Sequence, residues 1–509
     1  MTSTAPADRR ERALEALSAT RFDLLVVGAG IVGSRIAYEA ARLGMRVALV
    51  DAGDFGGATS SASSKLVHGG LRYLAEGHLG LVRAARLEQH ALRTRVAPHL
   101  VRELPLVLAI DRSARLGPHA VAAGLTAYDA LSGFRARDCG RLPTETARQL
   151  VPALRVDTLS GCALVSEAQT NDARLTLATV RAAEEAGAVV CNYVGVVALE
   201  RMKGLVRGAL LHGRPGEGFL AVRFRAAIGA TGPWADELRK LEDPRARPVM
   251  RLSKGVHAVF PGPGGWKAGL AVSLAGGRAF FALPWEGLLL IGVTDTAYDG
   301  DPAAVAAEPA DLDGLVEGMS PFLPPELLRR ERMVASFAGL RALPRGNGDT
   351  LKARRDHVVS IGPAGLVSVA GGKLTTHRRI ALDALRSLPR EVRPRRLAIA
   401  DEPLPGAGAA TTARLSQVAG EATTRHLVSV YGSHATDFLA YADRPDAFQP
   451  IHPAAPEVWA QVDYAAEREW ALTPLDVARR RTTLALRGLA GEELLHDLDG
   501  RLTAAGALR

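Results

Sequence analysis

Residues 23–51 read DLLVVGAGIVGSRIAYEAARLGMRVALVD and place three glycines between two short apolar runs. Leu24–Val27 and Val47–Val50 have the composition of buried strands, and the intervening segment 34–43 favours a helix. Because a parallel strand pair needs a crossover, this order predicts a β-strand, a helix and a second β-strand in one sheet.

The spacing of the glycines indicates a site for a dinucleotide. Gly28 suits a tight turn, Gly30 lets the backbone approach a pyrophosphate, and Gly33 lets the helix pack closely on the sheet. The start of the helix then offers free N–H groups to phosphate. Asp51, at the end of the second strand, lies where an acid binds the ribose hydroxyls of an adenosine half.

The following stretch, TSSASSKLVHGGLRY at residues 59–73, combines hydroxyl residues, paired glycines and potential cations. With this stretch the chain resembles the membrane-associated, FAD-dependent glycerol-3-phosphate dehydrogenases of the D-amino-acid-oxidase-like superfamily. Further strings carry the same resemblance: GATGPW at 229–234, GGKLTT at 371–376 and YAAEREWALT at 464–473. The resemblance therefore extends over most of the chain.

The predicted fold class is α/β, with a discontinuous FAD-binding Rossmann-like domain, an antiparallel-sheet substrate domain and a C-terminal helical domain. The glycine-opened strand-to-helix junction at 366–388 would close the nucleotide fold far along the chain. The expected divisions are an N-terminal arm at 1–20, FAD-binding segments at 21–98, 150–245 and 335–400, substrate or cap segments at 99–149 and 246–334, and the helical domain at 401–509.

Composition narrows the functional classes. A chain of 509 residues, 47% hydrophobic and 23% charged, predicts two or three globular domains. The formal charge of +9 favours anionic substrates or surfaces, or reflects compositional bias; scattered cations and 5% aromatic residues argue against nucleic acid. The spacing of the three cysteines matches neither a metal site nor a disulfide framework. The sequence has no G-x-S-x-G motif, which argues against a serine hydrolase.

The expected location is cytoplasmic, peripheral on the inner face of the cell membrane. The first twenty residues lack a signal-peptide core, and no apolar run reaches the roughly 20 residues needed to span a bilayer. The resemblance implies membrane quinone as electron acceptor and an anionic membrane surface as a partner, and leaves a homodimer open.

The glycine junctions and the resemblance together imply further residues that bind the cofactor, FAD. These are Ser60, Ser64, Lys65, His68, Gly69, Gly232, Gly371, Gly372, Lys373, Leu374 and Thr375. No metal site is expected.

Oxidation of a secondary alcohol needs a base for the hydroxyl proton and cations for an anionic substrate. The resemblance places Arg72, Tyr73, Arg341 and Lys373 around glycerol 3-phosphate, and Lys254 is a further candidate cation. Arginine suits phosphate because its planar fork donates two parallel hydrogen bonds. His257 is the candidate base.

The leading hypothesis is oxidation of sn-glycerol 3-phosphate to dihydroxyacetone phosphate, with hydride passing to flavin and electrons to quinone. An oxidase that uses oxygen, an amine or hydroxy-acid flavoenzyme of the same fold, and a non-catalytic flavoprotein scaffold are the alternatives. An NAD-linked dehydrogenase is disfavoured, because two glycine junctions suit a permanently held flavin.

Overall fold

The computed structural model describes residues 6–75, 77–114, 116–131, 133, 139–214, 216–273, 279–345 and 357–507. Within these ranges the strands are, in chain order, β1 (Arg21–Val27), β2 (Val47–Val50), β3 (Leu66–Val67), β4 (Val101–Asp111), β5 (Gly140–Leu142), β6 (Leu159–Thr170), β7 (Val189–Cys191), β8 (Gly195–Met202), β9 (Leu205–His212), β10 (Phe219–Gly229), β11 (Met250–Pro261), β12 (Gly269–Ser273), β13 (Ala279–Trp285), β14 (Leu288–Gly292), β15 (Thr296–Tyr298), β16 (Ala335–Pro344), β17 (His357–Ile361) and β18 (Val367–Gly371).

The α-helices of the same ranges are α1 (Pro6–Ala19), α2 (Ile31–Arg42), α3 (Leu71–Ala75), α4 (Leu79–Ala91), α5 (Pro118–Ala130), α6 (Thr144–Leu150), α7 (Asp172–Glu185), α8 (Ala235–Glu242), α9 (Pro309–Met319), α10 (His377–Arg386), α11 (Ala413–Ala419), α12 (Glu421–Tyr431), α13 (Trp459–Arg468), α14 (Pro474–Asp476) and α15 (Glu492–Ala504). A π-helical turn, Val477–Arg481, continues directly from α14.

The first sheet is the nucleotide fold predicted from residues 23–51. Its order is β17–β18–β10–β1–β2–β7, and β9 and β8 extend from β10. Strand β1 runs parallel to both β2 and β10, and β18 runs parallel to β10. Helices α2, α7 and α10 share one hydrophobic core with this sheet. The distant β18 therefore completes the sheet that β1 begins, as expected.

The second sheet follows the order β15–β11–β14–β13–β12–β4–β6–β3, with β16 on β11 and β5 on β6. Its pairs are antiparallel except for β4 and β12. The predicted class, a parallel nucleotide fold with an antiparallel second sheet and a helical C-terminal part, is confirmed.

The pairing corrects two predicted boundaries. Strand β6, assigned to the cofactor domain, pairs with β4 along its whole length in the second sheet. Strand β16, also assigned to the cofactor domain, pairs with β11 from Met250 to Val259. Both errors have one cause: a strand's sheet is set by its partner, and sequence alone does not reveal the partner.

Residues 6–19, within the expected N-terminal arm, form a packed helix. The Leu17 side chain is fully buried beneath the first sheet. The Arg9 guanidinium donates to Glu184 on α7, and Arg10 donates to the Asn192 carbonyl at 2.8 Å. The N-terminal helix is therefore anchored to the nucleotide fold at both its apolar and its charged face.

Candidate functional site

A cavity of about 2090 Å³ lies between the two sheets. Small-molecule pockets usually measure roughly 300–1,000 Å³. The cavity is lined by the glycine turn after β1, the hydroxyl-rich loop, strands β11 and β16 and the loop after β18. It therefore has room for a dinucleotide and a second small molecule.

Glycine is required at positions 28 and 33 of the first turn for different structural reasons. Gly28 has φ +97°, and a Cβ there would lie 2.7 Å from the Ala230 carbonyl oxygen. A Cβ at Gly33 would lie 1.8 Å from the Gly28 oxygen, so any side chain would separate the helix from the turn. Gly28 and Gly30 line the cavity, whereas Gly33 packs behind it.

Asp51 lies at the end of β2 and faces the same cavity. Its Oδ2 accepts a hydrogen bond from the Ala29 amide at 2.6 Å, and its Oδ1 accepts one from Gly53 at 2.9 Å. Burial raises the pKa of this carboxyl to about 6, although both amide bonds oppose the rise. A half-buried carboxylate at this position, which only accepts hydrogen bonds when ionised, fits the ribose hydroxyls of an adenosine half.

The hydroxyl-rich loop connects the two sheets. The Ser60 hydroxyl, which lines the cavity, accepts the Ile31 amide hydrogen at 3.0 Å at the start of α2. The Thr59 hydroxyl donates to the Leu340 carbonyl of β16 at 2.7 Å. Ser64 lies 2.9 Å from His257 on β11. These side chains hold the loop against both walls of the cavity.

The structure places two predicted cofactor residues of this loop outside the cavity lining. The Lys65 ammonium forms a buried ion pair with Asp172 at 2.6 Å and donates to the Ser61 carbonyl at 2.7 Å. The Gly69 amide donates to Glu167 at 3.2 Å, and a Cβ at Gly69 would lie 2.2 Å from the Tyr128 hydroxyl. Both residues support the loop from behind, because Lys65 pairs with a helix-terminal carboxylate and Gly69 packs on a buried polar cluster.

The later glycine junctions reach the same cavity. Gly232, Gly371, Gly372, Leu374 and Thr375 all line it, as does His68 of the first loop. The backbone requires glycine at these turns, since φ is +53°, +78° and +92° at the three glycines. The Thr375 hydroxyl donates to the His68 carbonyl at 3.0 Å and so ties the two distant junctions together.

Cations lie at the other end of the cavity. The Lys373 ammonium is 3.5 Å from the centre of the Tyr73 ring, and both residues line the cavity. The Arg341 guanidinium donates to the Thr294 carbonyl at 3.0 Å and to the Ser253 hydroxyl at 3.2 Å. Arg341 passes over Gly255, where a Cβ would lie 2.4 Å from its Nη2. The arginine is thus positioned by β11 and by the segment between β14 and β15.

His257 lies beside these cations with its ring stacked on Phe337, 4.7 Å between centres. The ring is buried, and burial, then the Arg341 and Lys65 charges, lower its pKa to about 3. The imidazole is therefore neutral, with Nε2 near Ser64 and Nδ1 without a hydrogen-bond partner among the described residues.

Lys254 is placed away from this group. Its ammonium pairs with Asp311 at 2.8 Å and Glu308 at 3.2 Å, at the start of α9. Successive side chains of a strand point to opposite faces, so Lys254 lies on the face opposite Ser253 and His257. The predicted role of Lys254 at the site is corrected to an ion pair behind the sheet. The side chain of Arg72 lies outside the described part of the structure.

The sequence analysis missed several cavity residues. Thr294 and Asp295 line the cavity and, with the buried Ser253 behind them, surround Arg341. The alternation along β11 could have identified Ser253. Gly70, at φ +83°, lines the cavity beneath Lys373. Arg480, from the π-helical turn, lines the cavity beside Asp54. The triple arginine 479–481 is the visible signal for Arg480, but its position depends on folding. Among the described residues, no cluster of His, Cys, Asp or Glu could hold a metal ion.

A nucleotide fold joined by two distant glycine turns, with a cation-lined cavity between sheets, defines a dinucleotide-dependent oxidoreductase. Residues 23–378 match the family described as FAD-dependent oxidoreductase, and residues 400–498 match the C-terminal domain of alpha-glycerophosphate oxidase. The chain belongs to the FAD-dependent oxidoreductase family, in the group of the FAD-dependent glycerol-3-phosphate dehydrogenases. Its cofactor is FAD, and the resemblance seen in the sequence is confirmed.

Individual relatives carry the same names. Glycerol-3-phosphate dehydrogenase of Mycobacterium leprae is 35% identical over 95% of this chain and 85% of its own. Glycerol-3-phosphate dehydrogenase 2 of Mycobacterium tuberculosis is 36% identical over 94% of this chain and 83% of its own. The glycerol-3-phosphate dehydrogenase structure from Bacillus halodurans, complexed with FAD, has a TM-score of 0.73 at 26% identity and covers 98% of this chain and 97% of its own.

A more distant structure shares the fold. L-alpha-glycerophosphate oxidase from Mycoplasma pneumoniae, with FAD bound, has a TM-score of 0.61 at 17% identity and covers 76% of this chain.

Proposed function

We propose that this chain oxidises sn-glycerol 3-phosphate to dihydroxyacetone phosphate, using FAD as the hydride acceptor and membrane quinone as the final acceptor. The observation that carries the proposal is that Arg341, Lys373 and Tyr73 all line the cavity that would hold FAD, together with the neutral His257. A phosphate monoester needs such cations, and the relatives named above are glycerol-3-phosphate dehydrogenases.

The residues present fit the cofactor. Asp51 offers a half-buried carboxylate to the ribose, and Gly28 and Gly30 leave the backbone of the turn open to a pyrophosphate. Gly371, Gly372 and Thr375 would border the flavin ring at the other end. When bound, FAD supplies a two-electron acceptor that takes hydride from the alcohol carbon.

The cations would bind and orient the substrate. The Arg341 guanidinium is directed by the Thr294 carbonyl and Ser253, so its fork needs little reorganisation to meet an oxygen of the substrate. The Lys373 ammonium lies over Tyr73 and supplies a second positive charge near the site. Such preorganised charges stabilise negative charge as it develops on oxygen.

His257 is the proposed acceptor of the hydroxyl proton. In the free protein its low pKa makes protonation unfavourable, because Arg341 and Lys65 repel a second positive charge. A bound phosphate dianion would offset those charges and raise the basicity of the imidazole. The hydroxyl proton would pass to the neutral ring while the C–H bond electrons leave as hydride, so charge and atoms balance.

Two features support quinone and membrane contact. Apolar residues line the far part of the cavity near α5, including Leu108, Val121 and Leu125, which suits an apolar acceptor. The formal charge of +9 would favour an anionic lipid surface. None of the described helices is long and apolar enough to cross a membrane.

Anaerobic addition of glycerol 3-phosphate to the purified holoprotein tests the substrate, with flavin absorbance followed at about 450 nm. Rapid bleaching is expected, and bleaching by glycine or a 2-hydroxy acid instead would indicate an amine or hydroxy-acid enzyme. Flavin that stays oxidised with every substrate would indicate a non-catalytic flavoprotein.

A second experiment tests the acceptor and the surface. Steady-state turnover should depend on an added quinone and be slow with oxygen alone; fast oxygen uptake without quinone would identify an oxidase. Co-sedimentation with vesicles should be stronger for anionic than for neutral lipid and should weaken with salt.

A further inference from the structure

Arg480 brings the C-terminal helical region into the wall of the FAD cavity. It belongs to the π-helical turn Val477–Arg481 and contacts Asp54, 426 positions earlier in the chain. Its side chain is 9% exposed. It shares the Asp476 carboxylate with Tyr193 and lies near Asp51, and all three residues, Arg480, Tyr193 and Asp51, line the cavity. The adenosine end of the cavity is thus completed by the last fifth of the sequence.

Two buried carboxylates hold Arg480 in place. Its Nε donates to Asp54 Oδ2, and its Nη2 donates to Asp476 Oδ1 at 2.7 Å. Asp54 also accepts a hydrogen bond from Arg481 Nη2 at 2.8 Å. Asp476 also accepts one from the Tyr193 hydroxyl at 2.6 Å. The guanidinium is therefore rigidly oriented, and neither carboxylate depends on Arg480 alone.

One nitrogen of the Arg480 guanidinium is not used by these two carboxylates. Nε and Nη2 are used, whereas Nη1 donates to no residue within the described ranges. Nη1 is not a fully buried atom, so it is open to the cavity that Arg480 lines, where a ligand or water can accept its hydrogen bond. Arg480 is also near enough to Asp51 to oppose the burial that raises the pKa of Asp51.

We propose that Arg480 is a cofactor-binding residue, whose Nη1 donates a hydrogen bond to an oxygen or nitrogen of the adenosine half of FAD. The ribose would then lie between the Asp51 carboxylate and a cation from the C-terminal region. Because FAD touches the docked C-terminal region, its binding and the docking of that region stabilise each other. The inference rests on FAD binding and is independent of the substrate.

The test compares Arg480→Met with Arg479→Met, which removes an exposed arginine from the same turn. The FAD dissociation constant is measured by titrating apoprotein, and the release rate by recovery of flavin fluorescence. Loss of one hydrogen bond from a charged donor predicts FAD binding weaker by roughly tenfold to a hundredfold for Arg480→Met. Arg479→Met should change it by less than about twofold.

A second readout separates cofactor binding from structure. Arg481 still pairs with Asp54, and Tyr193 with Asp476, so the apo form of Arg480→Met should keep the parent's circular dichroism. Amide hydrogen exchange in segment 474–482 should slow when FAD is added to the parent, and less in this variant. Should Arg480→Met fail to fold, Arg480→Lys keeps the charge near Asp54 and should also weaken FAD binding.

The proposal would be overturned if the Arg480 variant that folds binds FAD as tightly as the parent. It would also be overturned if adding FAD to the parent does not change amide hydrogen exchange in segment 474–482. A parent protein that binds FAD in this way yet is not reduced by glycerol 3-phosphate would sink the proposed substrate and leave this inference intact.

Discussion

The Nε2 atom of His257 lies 2.9 Å from the Oγ atom of Ser64, and the two residues are 193 positions apart in the sequence. This contact joins the hydroxyl-rich loop to β11, where the candidate base sits beside Arg341. It sets the orientation of a ring that burial keeps neutral. The position of the base therefore depends on a loop that also borders the cofactor.

His257→Gln is expected to lower kcat by about 10²- to 10⁴-fold, because the variant removes the proton acceptor. FAD content should stay at the parent level, since His257 lies at the substrate end. The pKa of the His257 imidazole in the substrate-free protein is about 3, so a fall in kcat/KM near pH 6.5 should not arise from this residue. Stopped-flow flavin reduction across pH 5–9 measures both effects; a variant within threefold of the parent would place the base elsewhere.

Arg341→Ala should lower kcat/KM for glycerol 3-phosphate by roughly 10- to 100-fold, the effect of losing charge-assisted hydrogen bonds. Lys254→Met is the matched control, because it removes a cation of the neighbouring strand that pairs with Asp311 and Glu308 outside the cavity. Its effect should appear in thermal stability, with kcat/KM close to the parent. The assignment of Arg341 fails if the two variants lose the same fraction of kcat/KM.

The affinity for FAD should fall as the pH is lowered from 7 to 5. The pKa of Asp51 in the free protein is about 6, and ribose hydroxyls donate much more strongly to the ionised carboxylate than to the protonated acid. The ionised fraction drops from about nine-tenths to about one-tenth over this range, so the apparent FAD dissociation constant should rise roughly tenfold.

Asp51→Asn, which cannot ionise, should bind FAD more weakly at pH 7 and show a flat profile. FAD titrations of apoprotein at several pH values give the result. A steep profile that persists in Asp51→Asn would assign the titration to another group.

Gly33→Ala should abolish FAD binding or prevent folding, because its Cβ would lie 1.8 Å from a backbone oxygen of the turn. Gly80→Ala, at the start of α4, is the control: nothing lies within 4 Å of the added carbon. Alanine is favoured over glycine in a helix by roughly 0.5–1 kcal/mol, so this change should be neutral or stabilising. Flavin content and thermal unfolding of the two variants measure the contrast, and a Gly33→Ala protein with full flavin content would contradict the packing argument.

Much of the fold could be predicted because short stretches of the sequence contain the signals that define its strands, turns and helices. The run 23–51 contains its own periodicity, turn residues and acid, and the strand Val47–Val50 was predicted to the residue. The start of helix α7 is likewise marked locally, because Asn171 precedes the helix and its side chain accepts the Arg174 amide hydrogen at 3.2 Å. Errors arose where a strand's partner was needed, as for β6 and β16.

The residues of the candidate site also fall into two groups, those visible in the sequence and those that only the folded structure placed. The glycines, Asp51 and the cationic strings are visible in the sequence because each marks a local backbone requirement or a charge near a turn. Which charges meet is decided by three-dimensional packing: Lys65 pairs with Asp172, Lys254 pairs with Asp311, and Arg480 reaches the wall of the cavity. Residues hundreds of positions apart are brought together by strand pairing and by burial of side chains. Neither the pairing nor the burial can be deduced from the short stretch of sequence around one residue.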